Sequence, residues 1–330
     1  MRRGKREIKV NAPVRALASS GLSHDLCEYM HRTGVWQSAI LTRAEHGTST
    51  GQALSGAGWL DVHFEACRPE YEEMLRFVGV PPGARALDAG CGSGGYLSLL
   101  AEIVGPAGSV YALDLAPENV ALVEERRVSG DLPGLAEVRE GTLTGLPYED
   151  DSFDALWCAN VTQYFGGAEF ETVLREFRRV VRPGGIVAVK DVDVALARLY
   201  PADPFLFPHL CERSLQADPE DAHARGSLRG RELRRWLEGA GFREVRQRTV
   251  MIERWAPLQP AERRFFGDWL SHLAGLAEER GVPEEDLAAW RSLRDPGSPD
   301  HPLDRPDAYA CEGQVVAVGR VPEGSEAGAS

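Results

Sequence analysis

The sequence predicts an α/β protein built on a doubly wound, mostly parallel sheet, and three observations carry that expectation. From Ala84 onward, short strand-like apolar runs alternate with stretches of helical period, the pattern of parallel strands joined by helical crossovers. A glycine-rich segment, Gly90 to Gly95, stands between the first such run and its helix, where glycines let the backbone turn tightly. Pro183-Gly184-Gly185 ends an amphipathic helix just before another apolar run, a helix stop followed by a strand.

Taken in order, residues 21–80 read as helical pieces, of which Pro69 to Val78 is the clearest, with Met74, Leu75 and Val78 on one face. Ala84 to Leu87 is the first strand, followed by a helix with Leu97, Leu100, Ile103 and Val104 inward. Val110 to Leu113 is the second strand, and Pro117 opens the next helix. A strand near Val138 precedes the run 153–160 (FDALWCAN), and the helix after it places Phe170, Val173, Leu174, Phe177, Val180 and Val181 on one side. Ile186 to Val189 is the fifth strand, a helix is expected at 229–239, and Val245–Ile252 and Gln314–Val321 complete seven strands, the last two partly antiparallel.

The resulting plan is a flexible basic arm at 1–20, an N-terminal helical cap at 21–80, a Rossmann-like core at 81–194 and a cap insertion at 195–228. A core helix and sixth strand occupy 229–256, a helical insertion 257–312, the last strand 313–321 and a flexible tail 322–330.

Charge narrows the function classes. The 330 residues carry 37 basic and 50 acidic side chains, a formal charge of −13, which disfavours nucleic acid and anionic membranes as partners because both are polyanions. With 43% hydrophobic and 26% charged residues the composition is that of a globular protein. The six cysteines form no C-x-x-C pair and no zinc-ligand spacing, so no metal is expected and the thiols read as buried in a reducing compartment. No apolar run approaches the roughly 20 residues of a membrane span, and a cytoplasmic protein able to pair as a homodimer is expected.

The chemistry is concentrated in 87–95 (LDAGCGSGG). Gly90, Gly92 and Gly95 match G-x-G-x-x-G, and Asp114 ends the next strand, so a nicotinamide-dependent dehydrogenase is one reading. Asp88, however, stands directly before the loop. There it would repel a pyrophosphate and attract a ligand bearing a cationic amino group.

The segment resembles motif I of the class I S-adenosylmethionine-dependent methyltransferases, particularly the menaquinone and ubiquinone methyltransferase-like branch. The resemblance continues through Asp114, 141–147 (GTLTGLP), 151–154 (DSFD) and 182–185 (RPGG), covering about residues 68–190. It implies S-adenosylmethionine as cofactor and S-adenosylhomocysteine as product. By the resemblance, Asp88 orients the methionine end, Gly90, Gly92 and Gly94 let the cofactor lie against backbone, and Asp114, followed by Leu115, takes the ribose hydroxyls. Relatives carry an acidic residue for the adenine amino group where this chain has Thr142, which shifts that contact toward Leu143. Tyr71, in 68–71 (RPEY), is placed beside the cofactor carboxylate, and Asn160 joins the cofactor set.

The acceptor is expected beyond the carboxyl ends of the strands. That position selects Asn160, Gln163 and Tyr164 after the fourth strand and Asp191 and Asp193 after the fifth, with Asp191, Tyr164 and His63 as catalytic candidates. A magnesium site from Asn160, Asp191 and Asp193 is the lesser reading, and Lys190 reads as a side chain that carries its ammonium out to water. His63 and His209 stand in aromatic segments, and Trp59, Phe64, Tyr200, Phe205, Phe207, Trp255, Phe265 and Phe266 suggest an apolar acceptor. The expected reaction is methyl transfer to an oxygen, nitrogen or carbon of a small, largely apolar molecule, quinone-like or a specialised metabolite. The alternative within the same scaffold is a cofactor-binding cyclase or regulator.

Overall fold

The computed structural model describes residues 48–51 and 54–323. The arm at 1–20, the cap up to residue 47 and the tail from residue 324 lie outside the described residues.

Helix α1 (Ala57–Val78) leads into β1 (Arg85–Ala89), α2 (Leu97–Val104), β2 (Ser109–Asp114), α3 (Pro117–Ser129), β3 (Leu135–Glu140) and β4 (Phe153–Ala159). Then come α4 (Gly167–Val180), β5 (Val181–Tyr200), α5 (Leu206–Ala217), α6 (Ala222–Gly226) and α7 (Leu233–Gly239). The chain closes with β6 (Arg243–Trp255), α8 (Pro260–Arg280), α9 (Glu284–Ser292) and β7 (Tyr309–Arg320). The seven strands lie in the order β3-β2-β1-β4-β5-β7-β6. Because β7 pairs antiparallel with both β5 and β6, β6 runs with the other five and β7 alone is reversed.

Each face of the sheet buries its own core. One joins Ala86, Ala112, Trp157, Ala188 and Val316 with α1, α2, α5 and α8. The other joins Leu87, Leu156, Val187, Val189 and Val315 with α4 and α7. Alternation along each strand assigns every polar residue to one of these faces. The amphipathic reading of α4 matches its buried Phe170, Val173, Leu174, Phe177 and Val180.

Several boundaries differ from the sequence expectation. The first helix begins at Ala57 and runs through Pro69, because burial of Trp59, Phe64, Cys67 and Tyr71 holds the turn on which proline withholds a donor. In α2 Leu99 is buried with Leu97, Leu100 and Val104, and Ile103, half-buried, packs against the same core. Residues 182–185 form a bulge, with Gly184 at φ 78°, between the Phe153↔Val181 and Ala155↔Ile186 pairs. The fifth strand continues to Tyr200 and the seventh starts at Tyr309, since the β5–β7 ladder resumes after a register shift with Arg198↔Cys311 to Tyr200↔Tyr309. The region expected to open the cap at 195 is therefore still sheet, and beyond it α8 packs against α1.

Candidate active site

The loop after β1 is shaped by its glycines. Gly90, Gly92 and Gly94 have φ of 88°, 53° and 89°, values that L side chains rarely adopt. The amides of Gly90 and Cys91 both donate to the Leu113 carbonyl, at 2.7 and 2.9 Å, tying the loop to the end of β2. Beneath it Asp88 is 1% exposed, and its Oδ2 has no hydrogen-bond partner among the described residues. Burial, with Asp114 adding to it, pushes this carboxyl up to about 8. A cationic amino group would supply the missing counter-charge.

Asp114 ends β2 with its carboxylate already oriented. Oδ2 accepts from the Gly92 amide at 2.8 Å, and Oδ1 from the Ala116 amide at 2.9 Å and Asn119 Nδ2 at 3.3 Å. Oδ1 is thereby filled, while Oδ2 keeps one lone pair, and Asp114 lines the cavity. Burial raises this carboxyl, against the opposing backbone bonds. Leu115, 56% exposed, and Leu143 flank it on the cavity wall, offering apolar surface to a flat base. The Thr142 hydroxyl is engaged with Thr144, 3.0 Å from its Oγ1. Ser49 bonds Glu118 through its amide and hydroxyl, at 3.2 and 3.0 Å, which sets Thr48 and Thr50 on the wall opposite.

A cavity of about 480 Å³ runs from this half past the ends of β4 and β5 into the cap. Asn160 marks the passage. It takes φ 59°, its amide donates to the Lys190 carbonyl at 2.7 Å, and its Oδ1 accepts from Lys190 Nζ at 2.8 Å. Lys190 is fully buried, with Nζ 3.7 Å from the Tyr71 ring centroid. It does not reach water as the sequence suggested, and burial brings its ammonium down to about 7.

Between α1 and the sheet lies a buried polar layer. Tyr71 Oη is 2.5 Å from His63 Nε2, and the same nitrogen is 3.7 Å from Glu312 Oε1. Cys67 Sγ donates to Glu312 Oε1 at 3.6 Å and Gln314 Nε2 donates to it at 2.9 Å. The His63 ring stacks on Phe265, centroids 4.4 Å apart and nearly coplanar in orientation at 2°, with Trp59 at 4.7 Å. Burial lowers His63 against the pull of Glu312. Burial also works on Glu312, in the raising direction, but the His63 contact, Lys190 and Gln314 outweigh it and leave the carboxyl below its ordinary value.

The structure brings His63, Tyr71, Gly90, Gly92, Asp114, Leu115, Thr142, Leu143, Asn160, Gln163 and Tyr164 onto one cavity wall. Tyr164 stacks on His223 at 4.9 Å, and burial pushes its hydroxyl up to about 12. Gly94 and Asp88 lie behind the wall. Asp191, proposed from the sequence as catalytic, does not reach it: alternation along β5 puts Asp191 on the face of Val187 and Val189, where it accepts from the Thr162 hydroxyl. Asp193 is bound by Arg231 at 3.1 Å. Asn160, Asp191 and Asp193 are thus held by three different partners and do not converge as magnesium ligands would.

Of the aromatic residues singled out, Trp59, Phe64, Phe207 and Phe265 line the cavity. Phe266 is core, while Tyr200, Phe205 and Trp255 are exposed on the surface. His209 pairs instead with Asp286, Nδ1 to Oδ2 2.7 Å. Glu312 and Gln314 were missed. Their signal is present in 311–318 (CEGQVVAV), two polar residues at period two in an otherwise apolar strand.

A seven-stranded sheet with one reversed strand, a glycine loop over a buried carboxylate and an acidic residue ending β2 make a Rossmann-like α/β fold that resembles the class I S-adenosylmethionine-dependent methyltransferases. Residues 87–189 match the family model described as a methyltransferase domain. The demethylmenaquinone methyltransferase of Geobacillus kaustophilus is 40% identical over 118 residues, 35% of this chain and 48% of that protein. An uncharacterized 37.1 kDa protein in transposon TN4556 of Streptomyces fradiae is 34% identical over 179 residues, 54% of this chain and 49% of that one. The chain spans about half the length of the curated relatives it matches. Among solved structures, a SAM dependent methyltransferase from Aquifex aeolicus is 27% identical, with TM-score 0.42, covering 54% of this chain and 81% of that one.

Proposed function

We propose that the protein moves a methyl group from S-adenosylmethionine to a small, largely apolar acceptor. The observation that carries this reading is a continuous cavity among the described residues, which joins the Asp114 and glycine-loop half to an aromatic chamber, so that donor and acceptor would share one largely apolar-walled volume. The residues present fit the cofactor: the orphaned Asp88 oxygen suits its ammonium, the lone pair left on Asp114 Oδ2 a ribose hydroxyl, and Leu115 and Leu143 its base. When bound, S-adenosylmethionine supplies an electrophilic methyl group on a sulfonium. The protein's part is to hold the acceptor in line and exclude water, which for an aligned bimolecular step is worth several kcal/mol, about 7–11 in the best cases. Trp59, Phe207 and Phe265 supply the apolar walls, and the Asn160 turn, locked by Lys190, fixes the passage between the two halves.

Titration calorimetry with S-adenosylmethionine, S-adenosylhomocysteine and NAD tests the reading. Binding of the first two, weakened about tenfold to hundredfold in Asp114→Ala by loss of a charged acceptor, is expected. Binding of NAD alone would replace the reading with a dehydrogenase, and a product that gains no methyl group would replace it with a cyclase.

A further inference from the structure

The layer between α1 and β7 contains a buried carboxylate, Glu312, whose neighbours give it a use. We propose that His63 is the general base of the acceptor site, taking the proton of a phenolic or enolic hydroxyl, and that Glu312 is the positioning residue that fixes its tautomer. This rests on the methyl-transfer reading above.

Geometry divides the two ring nitrogens. Nε2 faces protein oxygens, Tyr71 Oη at 2.5 Å and Glu312 Oε1 at 3.7 Å, whereas Nδ1 makes no hydrogen bond among the described residues. His63 also lines the cavity. With the proton on Nε2, beside the carboxylate, the lone pair on Nδ1 is left for an incoming group, the logic by which a buried carboxylate orients a catalytic imidazole. Stacking on Phe265 and contact with Trp59 restrict the ring to this orientation. Burial keeps His63 neutral at neutral pH, the form a base needs, and Glu312 then stabilises the imidazolium that forms.

Among the described residues the charged and titratable groups around His63 are Cys67 and Tyr71 from its own helix, Lys190 from β5 and Glu312 from β7, and α8 contributes the Phe265 ring that stacks on it. A hydroxyl is the acceptor that this base serves, because a free amine or a thiolate attacks without surrendering a proton first. The aromatic walls select a flat molecule carrying that hydroxyl. In the step, the hydroxyl proton passes to Nδ1, the oxygen forms a bond to the methyl carbon, and the carbon–sulfur bond breaks with its electron pair on sulfur. The products are a methyl ether, a thioether and an imidazolium that returns its proton to water.

Histidine NMR of the ¹⁵N-labelled full chain, with and without S-adenosylhomocysteine, tests the pair directly, His63→Gln identifying the resonance. The expected result is an Nε2–H tautomer whose titration falls by about one pH unit or more in Glu312→Gln, through loss of the nearby negative charge. An Nδ1–H tautomer, or an unchanged titration in Glu312→Gln, overturns the proposal. So does one equivalent of zinc carried by the purified protein and lost in Cys67→Ser, since the donor atoms of His63, Cys67 and Glu312 lie within 4.8 Å of one another.

With labelled S-adenosylmethionine and a panel of phenols, catechols and hydroxyquinones beside matched amines and thiols, His63→Gln is expected to lose about 100-fold or more in kcat. KM for S-adenosylmethionine should be unchanged. In Glu312→Gln the acid limb of kcat should move to lower pH, and added imidazole should restore part of the activity of His63→Gly. Methylation confined to the amines or thiols overturns the acceptor class. If S-adenosylhomocysteine does not bind, the methyl-transfer reading itself fails, whereas binding with an unperturbed His63 defeats the base alone.

Discussion

Lys190 and Asp191 are consecutive on β5 and point to opposite faces of the sheet. Lys190 faces α1, with its ammonium on Asn160 Oδ1 at 2.8 Å and over the Tyr71 ring. Asp191 faces the α4–α7 side and accepts from Thr162. A period-two strand can offer only one of two neighbours to a site on one face, and here that neighbour is the lysine.

Asp191 is therefore expected to affect stability more than ligand binding. Burial raises its carboxyl from 3.8 to about 7, with the Thr162 bond opposing. The folded state then holds a proton that the unfolded chain releases, so stability falls as pH rises from about 4 to 7 and is level above that. Asp191→Asn removes this dependence. Its urea midpoint should match the wild type near pH 4 and exceed it at pH 8, by a gap on the order of a few kcal/mol in stability, while affinity for S-adenosylmethionine stays nearly intact. An equal loss of affinity in Asp191→Asn and Asp114→Ala would erase the division between the two positions.

Lys190 titrates with the opposite sign. Burial lowers its ammonium from 10.5 to about 7, so the unfolded chain binds the extra proton between those values and stability rises with pH across that window. Lys190→Met forfeits the Asn160 bond at every pH but escapes this penalty. Relative to wild type, its melting temperature should improve steadily as pH falls from 10.5 to 7 and change little below. A difference that stays constant from pH 7 to 10.5 would mean that Lys190 remains charged in the folded protein.

The fold was legible because its signals are local. The glycine loop, Pro117 at a helix start and the apolar stripe of α4 each declare themselves within a dozen residues, and β1 to β5 followed in order. What the sequence did not disclose depends on the third dimension. Which of Lys190 and Asp191 points toward α1 depends on which face of the sheet α1 covers. Glu312 became part of the site only because β7 inserts between β5 and β6 and lies beneath His63 and Cys67, residues more than 240 positions away. Trp255 and Phe265 look alike as aromatic residues in a cap, yet one is 66% exposed and the other 1%.

The buried carboxyl of Asp88 predicts a proton signature for cofactor binding. Burial, with Asp114, holds it at about 8, so at pH 7 it is largely protonated in the free protein. A cationic amino group placed beside it favours the carboxylate and expels that proton. Calorimetry at pH 7 in buffers of different ionisation enthalpy should show release of up to about one proton per S-adenosylmethionine bound. Asp88→Asn should bind more weakly and release none. Identical proton release in wild type and Asp88→Asn would place the source elsewhere in the site.

Gly90 joins conformation and packing at one position. Its φ of 88° disfavours any side chain by roughly 1–2 kcal/mol, and a Cβ there would come within 2.4 Å of Val161 Cγ2, an overlap of the kind that costs about 1–3 kcal/mol. The two terms separate by a double variant. Gly90→Ala is expected to lower the melting temperature and weaken S-adenosylmethionine binding, because the loop can yield only by drawing the Gly90 and Cys91 amides from the Leu113 carbonyl. Adding Val161→Ala opens the space without changing φ, so it should recover the packing share of the loss and leave the conformational share. Full recovery in the double variant would show that the backbone at residue 90 tolerates a side chain, and no recovery that Val161 was never the obstacle.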